Sequence, residues 1–323
     1  MTLEELKERQ GWTLDQKIDH SLATIDQFIQ RLGGVENVYV GFSGGKDSTV
    51  LLDLCRVINP NIKAVFCNTG NEYPDIVRFV RELKATEGYN IEIIHPELPP
   101  HKVMSEYGFP LISKEVSKNI HAVETNPNSI QAKRALGIIK RKYKALVPIK
   151  YRFLVDEDFS VSDSCCRKLK KEPFHKYEKE HHLAAILGIM ASESNMRRTA
   201  YINRGGCNVF SEDNPTKSKS LPLSIWLEDD IWAYIKKRNL KIADIYNKGA
   251  MRTGCMFCGY GCQFKDDNRL ELVHKLYPKW YDRFMGYTNN GVTYREAMRK
   301  VLAVNGLYLP DEKPAQQLSL FEE

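Results

Sequence analysis

Near the start of this 323-residue chain, one short passage limits the fold more than any other. Val38, Val40 and Phe42 alternate as in a buried strand, and Ser43-Gly44-Gly45-Lys46-Asp47-Ser48-Thr49 breaks that alternation. Val50, Leu51, Leu54 and Val57 then resume at helical spacing. A polar glycine loop between a strand and a helix gathers backbone N–H groups at the positive end of the helix, where phosphate is held. Two common versions of that arrangement are excluded. The Walker loop needs a glycine where Val40 stands and Ser or Thr where Asp47 stands, and the G-x-G-x-x-G spacing of dinucleotide folds is absent.

The same rhythm continues. Ile62–Cys67 reads as a second strand, and Pro74 opens a helix that buries Ile76, Val77, Val80 and Leu83. Ile91–Ile94 reads as a third strand and Leu183–Met190 as a later one. Alternation of this kind predicts an α/β fold, a parallel twisted sheet with helices on both faces. An amphipathic helix is expected over 13–33 and another over 228–238. The expected segments are an N-terminal helical part at 1–35 and a nucleotide-binding domain at 36–250. An insertion or lid interrupts that domain at 97–160 and carries a helix near 129–145. A cysteine-bearing extension follows at 251–309, and a flexible tail at 310–323.

Eight cysteines in a chain that opens on an acidic, polar stretch predict a reduced, cytoplasmic protein rather than a disulfide framework. No apolar run is long enough for a membrane span. Cys165 and Cys166 are adjacent, and Cys255, Cys258 and Cys262 form C-x-x-C-x-x-x-C, groupings that point to metal. The net charge is +6, and between Lys133 and Arg152 eight Lys or Arg residues occur without an acid. That run is either a solvated helix face or a surface for polyphosphate or nucleic acid.

The run S-G-G-x-D-S resembles the PP-loop of the ATP pyrophosphatase superfamily, with its adenine nucleotide alpha hydrolase-like fold. Further stretches resemble the phosphoadenosine phosphosulfate (PAPS) reductase family within it. These are Phe66-Cys67-Asn68-Thr69-Gly70 with Tyr73-Pro74, Cys165-Cys166-Arg167-Lys168-Leu169-Lys170-Lys171-Glu172-Pro173, and Gly188-Ile189 with Glu193-Ser194 and Arg197. Leu221-Pro222-Leu223 with Asp229-Asp230-Ile231-Trp232 completes the set. The resemblance implies that Ser43, Gly44, Gly45, Lys46, Asp47 and Ser48 hold phosphates of ATP or PAPS. Asp47 then helps to hold Mg²⁺ when ATP is bound, and Thr69 and Gly70 border the nucleoside. Met190 stands where the family carries arginine, which leaves Arg197 and Arg198 as anion ligands.

The family's iron–sulfur branch implies a 4Fe–4S cluster on Cys165, Cys166, Cys255 and Cys258, with Lys170 moderating its charge. Zinc on Cys255, Cys258, Cys262 and His274 is the alternative. The family's C-terminal attacking cysteine has no counterpart, because no cysteine follows Cys262, and Cys262 is the expected sulfur-handling residue. The first reading is ATP-dependent thiolation: adenylation of an acceptor, nucleic acid being one, with release of pyrophosphate. The alternatives are a sulfonucleotide reductase that releases sulfite and a non-catalytic nucleotide- and cluster-binding protein. Thioredoxin or a cysteine desulfurase is the expected electron or sulfur partner. Gln317-Leu318-Ser319-Leu320-Phe321 resembles the peptide by which bacterial proteins dock on the sliding clamp.

Overall fold

A computed structural model describes residues 2–86, 88–139 and 146–313. Ten strands occur among them: β1 (Val38–Gly41), β2 (Ala64–Cys67), β3 (Ile91–Ile94), β4 (Leu111–Ile112), β5 (Ala184–Leu187), β6 (Asn208–Val209), β7 (Lys219–Ser220), β8 (Gly259–Tyr260), β9 (Thr288–Asn289) and β10 (Val292–Thr293). The chain divides into two compact units. One comprises Met1–Asn68, Pro74–His95 and Pro173–Lys248, and the other Thr69–Tyr73, Pro96–Glu172 and Gly249 onward.

The first unit holds a six-stranded sheet in the order β3-β2-β1-β5-β7-β6, parallel except for the pairing of β6 with β7. Its centre is apolar on both faces, as a helix-covered parallel sheet requires. Tyr39, Val65 and Ala185 pack with Tyr177 and Leu183. From β1 the chain winds outward through β2 and β3, then returns to place β5 on the other side of β1. The direction of winding therefore reverses between β1 and β5, and the crevice beyond the carboxyl ends of such a strand pair is where open α/β sheets bind ligands.

The N-terminal helices belong to this unit rather than to a separate segment. Helix Leu14–Arg31 directs the buried Lys17 to Asp230 at 2.6 Å. Ser21 donates to the Pro222 carbonyl and accepts from Trp226 Nε1 at 2.9 Å. An additional helix, Leu3–Gln10, precedes it and starts on a reciprocal cap between Thr2 and Glu5.

In the second unit the residues expected as a lid share a core with the C-terminal extension. β4 pairs in parallel with β8. Asn289 donates to the carbonyls of Met104 and Ser105 and accepts from Ser160 N at 2.8 Å. The helix expected near 129–145 is shorter, Ile130–Ala135, and Gly137 at φ +79° turns the chain away from it.

Helix Lys114–Thr125 carries Glu124, whose carboxylate accepts from Val161 N at 3.1 Å and lies 3.9 Å from His121 Nδ1. Burial pushes Glu124 up to about 7, and the Val161 N–H only partly opposes this. A carboxyl that prefers its proton in the folded state stabilises at low pH, and that contribution fades as pH rises from the unfolded value through 7. Glu124→Gln is therefore expected to raise stability by about 2–3 kcal/mol at pH 8 and to leave it unchanged at pH 4. Denaturant titrations at the two pH values check this; an equal shift at both would refute it.

Candidate functional site

The loop after β1 is shaped by its glycines. Gly44 has φ +73°, and a Cβ there would stand 2.8 Å from Ile76 Cγ2 and 2.9 Å from Val80 Cγ2. Only glycine fits that turn against helix Pro74–Ala85. Gly45 is the N-cap of helix Lys46–Ile58 and offers no side-chain cap. The loop is braced from within. Ser43 N donates to Ser48 Oγ at 3.1 Å, the two hydroxyls lie 3.0 Å apart, and Ser48 and Thr49 both donate to the Gly45 carbonyl. Gly188, beyond β5, lets that strand's loop approach, since a Cβ there would lie 3.3 Å from the Asp47 carbonyl.

Charges gather around this loop. Lys46 is buried, 3.5 Å from Asp47 Oδ1 and 3.3 Å from Glu228. Burial works against its charge, but Asp47, Tyr246 and Glu228 outweigh it and hold the ammonium above its ordinary pKa. Burial likewise raises Asp47, with Lys46 opposing. Asp47 Oδ1 is buried and accepts no hydrogen bond among the described residues. Arg197 pairs with Glu193; burial lowers its pKa, while the Asp47 charge acts the other way. Arg198 is exposed and donates to Asn195. The Asp47 charge thus reaches Arg197, whereas Arg198 is committed to Asn195 at the surface. Sequence reasoning missed Glu228, Trp232 and Tyr246. The Tyr246 hydroxyl accepts from Lys46 N at 2.8 Å, and the Trp232 ring lies 5.9 Å from Lys46 Nζ. No local signal marks residues that lie about 200 positions from their partner.

In the second unit Thr69 is buried, and its N–H and hydroxyl both donate to Glu72 at 2.8–2.9 Å. Gly70, at φ +79°, follows it. Cys165, Cys166, Cys255 and Cys258 line one cavity together with Lys170, Asn71 and the apolar Met104, Pro110, Leu169 and Phe257. Cys165 and Cys166 sit on the short helix Ser164–Cys166, which widens into a π turn over Arg167–Lys171. Cys255 and Cys258 lie on a turn anchored by three bonds: Met256 N to the Asn71 carbonyl, Cys258 N to the Cys255 carbonyl, and the Tyr294 hydroxyl to the Phe257 carbonyl. Gly259 lies against Pro110, whose carbonyl would be 2.4 Å from a Cβ. Burial raises the thiols of Cys165, Cys255 and Cys258. Cys255 in turn holds half-buried Lys170 above its ordinary value, with Glu72 and Cys166 adding to it.

Cys262 is placed differently. It is buried and donates its S–H to the Cys258 carbonyl at 3.1 Å, and burial pushes it up to about 12 against the nearby Arg269. Arg269 is held by Asp267 and reaches Cys262 Sγ at 3.7 Å. The ring of His274 packs edge-on to Tyr281. Among the described residues, no group of three or more His, Cys, Asp or Glu side chains is placed to hold a metal ion.

The basic run is partly committed to structure. Arg152 donates to the Leu136 carbonyl at 2.9 Å, and Lys150 to Asn305 at 2.7 Å. Lys140, Arg141, Lys142, Lys144 and the tail peptide Gln317–Phe321 lie outside the described residues. No helix among the described residues is long and apolar enough to cross a membrane.

The phosphoadenosine phosphosulfate reductase domain model matches residues 37–135 and 112–260. Adenosine 5'-phosphosulfate reductase of Oceanobacillus iheyensis is 23% identical over 245 residues, 75% of this chain and 79% of the relative. Adenosine 5'-phosphosulfate reductase 2 of Bacillus subtilis is 25% identical over 236 residues, 72% and 77% of the two chains. The solved phosphate complex of phosphoadenylyl-sulfate reductase from Candida auris aligns with a TM-score of 0.44 at 14% identity, covering 79% of this chain and 96% of the other. The family match takes in both the glycine loop and the two cysteine pairs across more than half of the sequence, and the chain belongs to the phosphoadenosine phosphosulfate reductase domain family.

Proposed function

We propose that the chain binds a sulfonucleotide, adenylyl-sulfate or phosphoadenylyl-sulfate, and reduces its sulfate group to sulfite. One observation carries this reading: four cysteines and a half-buried lysine line one cavity, in a chain whose relatives are named as reductases of such nucleotides. The sequence alone put ATP-dependent thiolation first; the relatives' names reverse that order.

In this reading the Ser43–Ser48 loop and Lys46 cradle the nucleotide's phosphate, Arg197 adds counter-charge, and Thr69 and Gly70 border the nucleoside. Cys165, Cys166, Cys255 and Cys258 hold a 4Fe–4S cluster. The donor set fits: four thiols and a cation line one pocket whose other walls are largely apolar. When bound, such a cluster supplies a negatively charged sulfur centre whose properties follow its hydrogen bonds and burial. Lys170 offsets that charge.

A thiolate attacks the sulfate sulfur and AMP, or its 3'-phosphate, leaves. A second thiol then forms a disulfide with the first and sulfite departs with the electron pair. The two thiols are oxidised as the sulfur is reduced. Cys262, buried and bonded to Cys258, supports the cysteine turn, so both thiols come from a separate dithiol of the thioredoxin type.

The buried Cys262, and the Asp47 Oδ1 that makes an ion pair with Lys46 but accepts no hydrogen bond among the described residues, favour a second reading, ATP-dependent thiolation. There Asp47 helps to hold Mg²⁺, a cysteine desulfurase supplies sulfur, and the Lys133–Arg152 run meets a nucleic-acid acceptor. The tail peptide's docking on a sliding clamp belongs to this reading. Purified anaerobically, the protein is expected to release sulfite from adenylyl-sulfate or phosphoadenylyl-sulfate with a dithiol present. Pyrophosphate release from ATP without sulfite would establish the second reading instead.

A further inference from the structure

Asn71 is 1% exposed, lines the cysteine cavity, and among the described residues neither its Nδ2 nor its Oδ1 has a hydrogen-bond partner. A buried, unpaired amide is costly, because the group gave up water and gained nothing in exchange. Its backbone is tightly fixed by contrast. Asn71 N donates to Thr69 Oγ1 at 3.2 Å, and its carbonyl accepts from Met256 N at 2.9 Å, the residue after Cys255. The main chain that positions Asn71 thus also positions the turn bearing Cys255 and Cys258. A side chain so held, with both polar atoms idle beside four thiols, is satisfied only when something occupies the cavity. Lys170 is the cavity's other polar side chain besides the thiols.

We infer that Asn71 is a positioning residue for the group held by the four cysteines, donating its Nδ2–H to a sulfur of that group. This rests on the cluster reading above. An N–H···S bond stabilises the more negatively charged state, so it raises the reduction potential and slows loss of the group. Leucine is close to asparagine in volume and removes only the polarity.

The experiment compares the parent, Asn71→Leu and Asn71→Ser, each purified anaerobically and reconstituted with ferrous iron and sulfide. In the metal-free state, Asn71→Leu is expected to raise the melting temperature, since an unpaired buried amide is gone. In the iron-loaded state that gain is lost or reversed. The loaded variant's one-electron reduction equilibrium is expected to fall about tenfold, which is 59 mV. Asn71→Ser, smaller but still a donor, retains part of the effect. Where the metal-free forms do not fold, the potential alone decides. Loaded proteins with equal potentials and equal thermal shifts would overturn the inference and leave the cluster reading intact. A parent that takes up no iron would overturn the cluster reading, and this inference with it.

Discussion

Cys165→Ser is expected to strip the protein of its bound iron, abolish its visible absorbance, and lower the formation of sulfite or pyrophosphate by more than about a hundredfold. Cys165 is buried on the short helix Ser164–Cys166 and packs against Val103 and Leu169 as well as lining the cavity. Serine there replaces a soft ligand by a hard, reluctantly ionised one and leaves an unpaired hydroxyl in an apolar wall. Because a group that binds only the folded state adds its binding energy to stability, the melting temperature of the purified variant should fall to that of the metal-free parent. Cys262→Ser is the informative control. Its hydroxyl can still donate to the Cys258 carbonyl, so iron is expected to remain. Iron analysis and a visible spectrum after anaerobic purification read both outcomes. Full iron in Cys165→Ser would remove Cys165 from the ligand set, and iron lost with Cys262→Ser would place Cys262 within it.

The second large effect belongs to the glycine loop. Gly44→Ala is expected to weaken binding of adenylyl-sulfate or ATP by more than about a hundredfold and to destabilise the first unit by roughly 2–5 kcal/mol, combining backbone strain with overpacking. Both terms follow from geometry, the positive φ at Gly44 and the sub-contact distances to Ile76 and Val80. Ser48→Ala separates the loop's shape from its hydroxyls. It deletes the acceptor for Ser43 N and the donor to Gly45 without moving the backbone, at about 0.5–1.5 kcal/mol. Calorimetric titration with each nucleotide measures the difference. Parent-like affinity in Gly44→Ala would show that the nucleotide's charged end lies elsewhere.

Features whose cause is local were legible in the sequence. The loop could be read because Ser43–Ser48, the strand before it and the helix after it are contiguous, and each side-chain type has its use within a few residues. The cysteine pairs Cys165-Cys166 and Cys255-x-x-Cys258 stood out as groupings in the sequence, and the fold brings all four to one cavity. The cap Thr2-x-x-Glu5 was present in the sequence and would have revealed the helix Leu3–Gln10.

What escaped was set by distance along the chain. Glu228, Trp232 and Tyr246 meet Lys46 only through the fold. Asn71 resembles any turn asparagine until Met256 closes over it. The 97–160 segment gave little because its sheet contribution is the two residues Leu111 and Ile112, too short for a period to register.

The two cysteine pairs stand 255 − 166 = 89 positions apart. No nascent chain therefore holds all four thiols until Cys258 has left the ribosome, and their meeting closes a long loop of chain. Non-local closures of this kind come late in folding. Any group needing the complete set enters only after that closure, so its incorporation reports that the two remote segments have met.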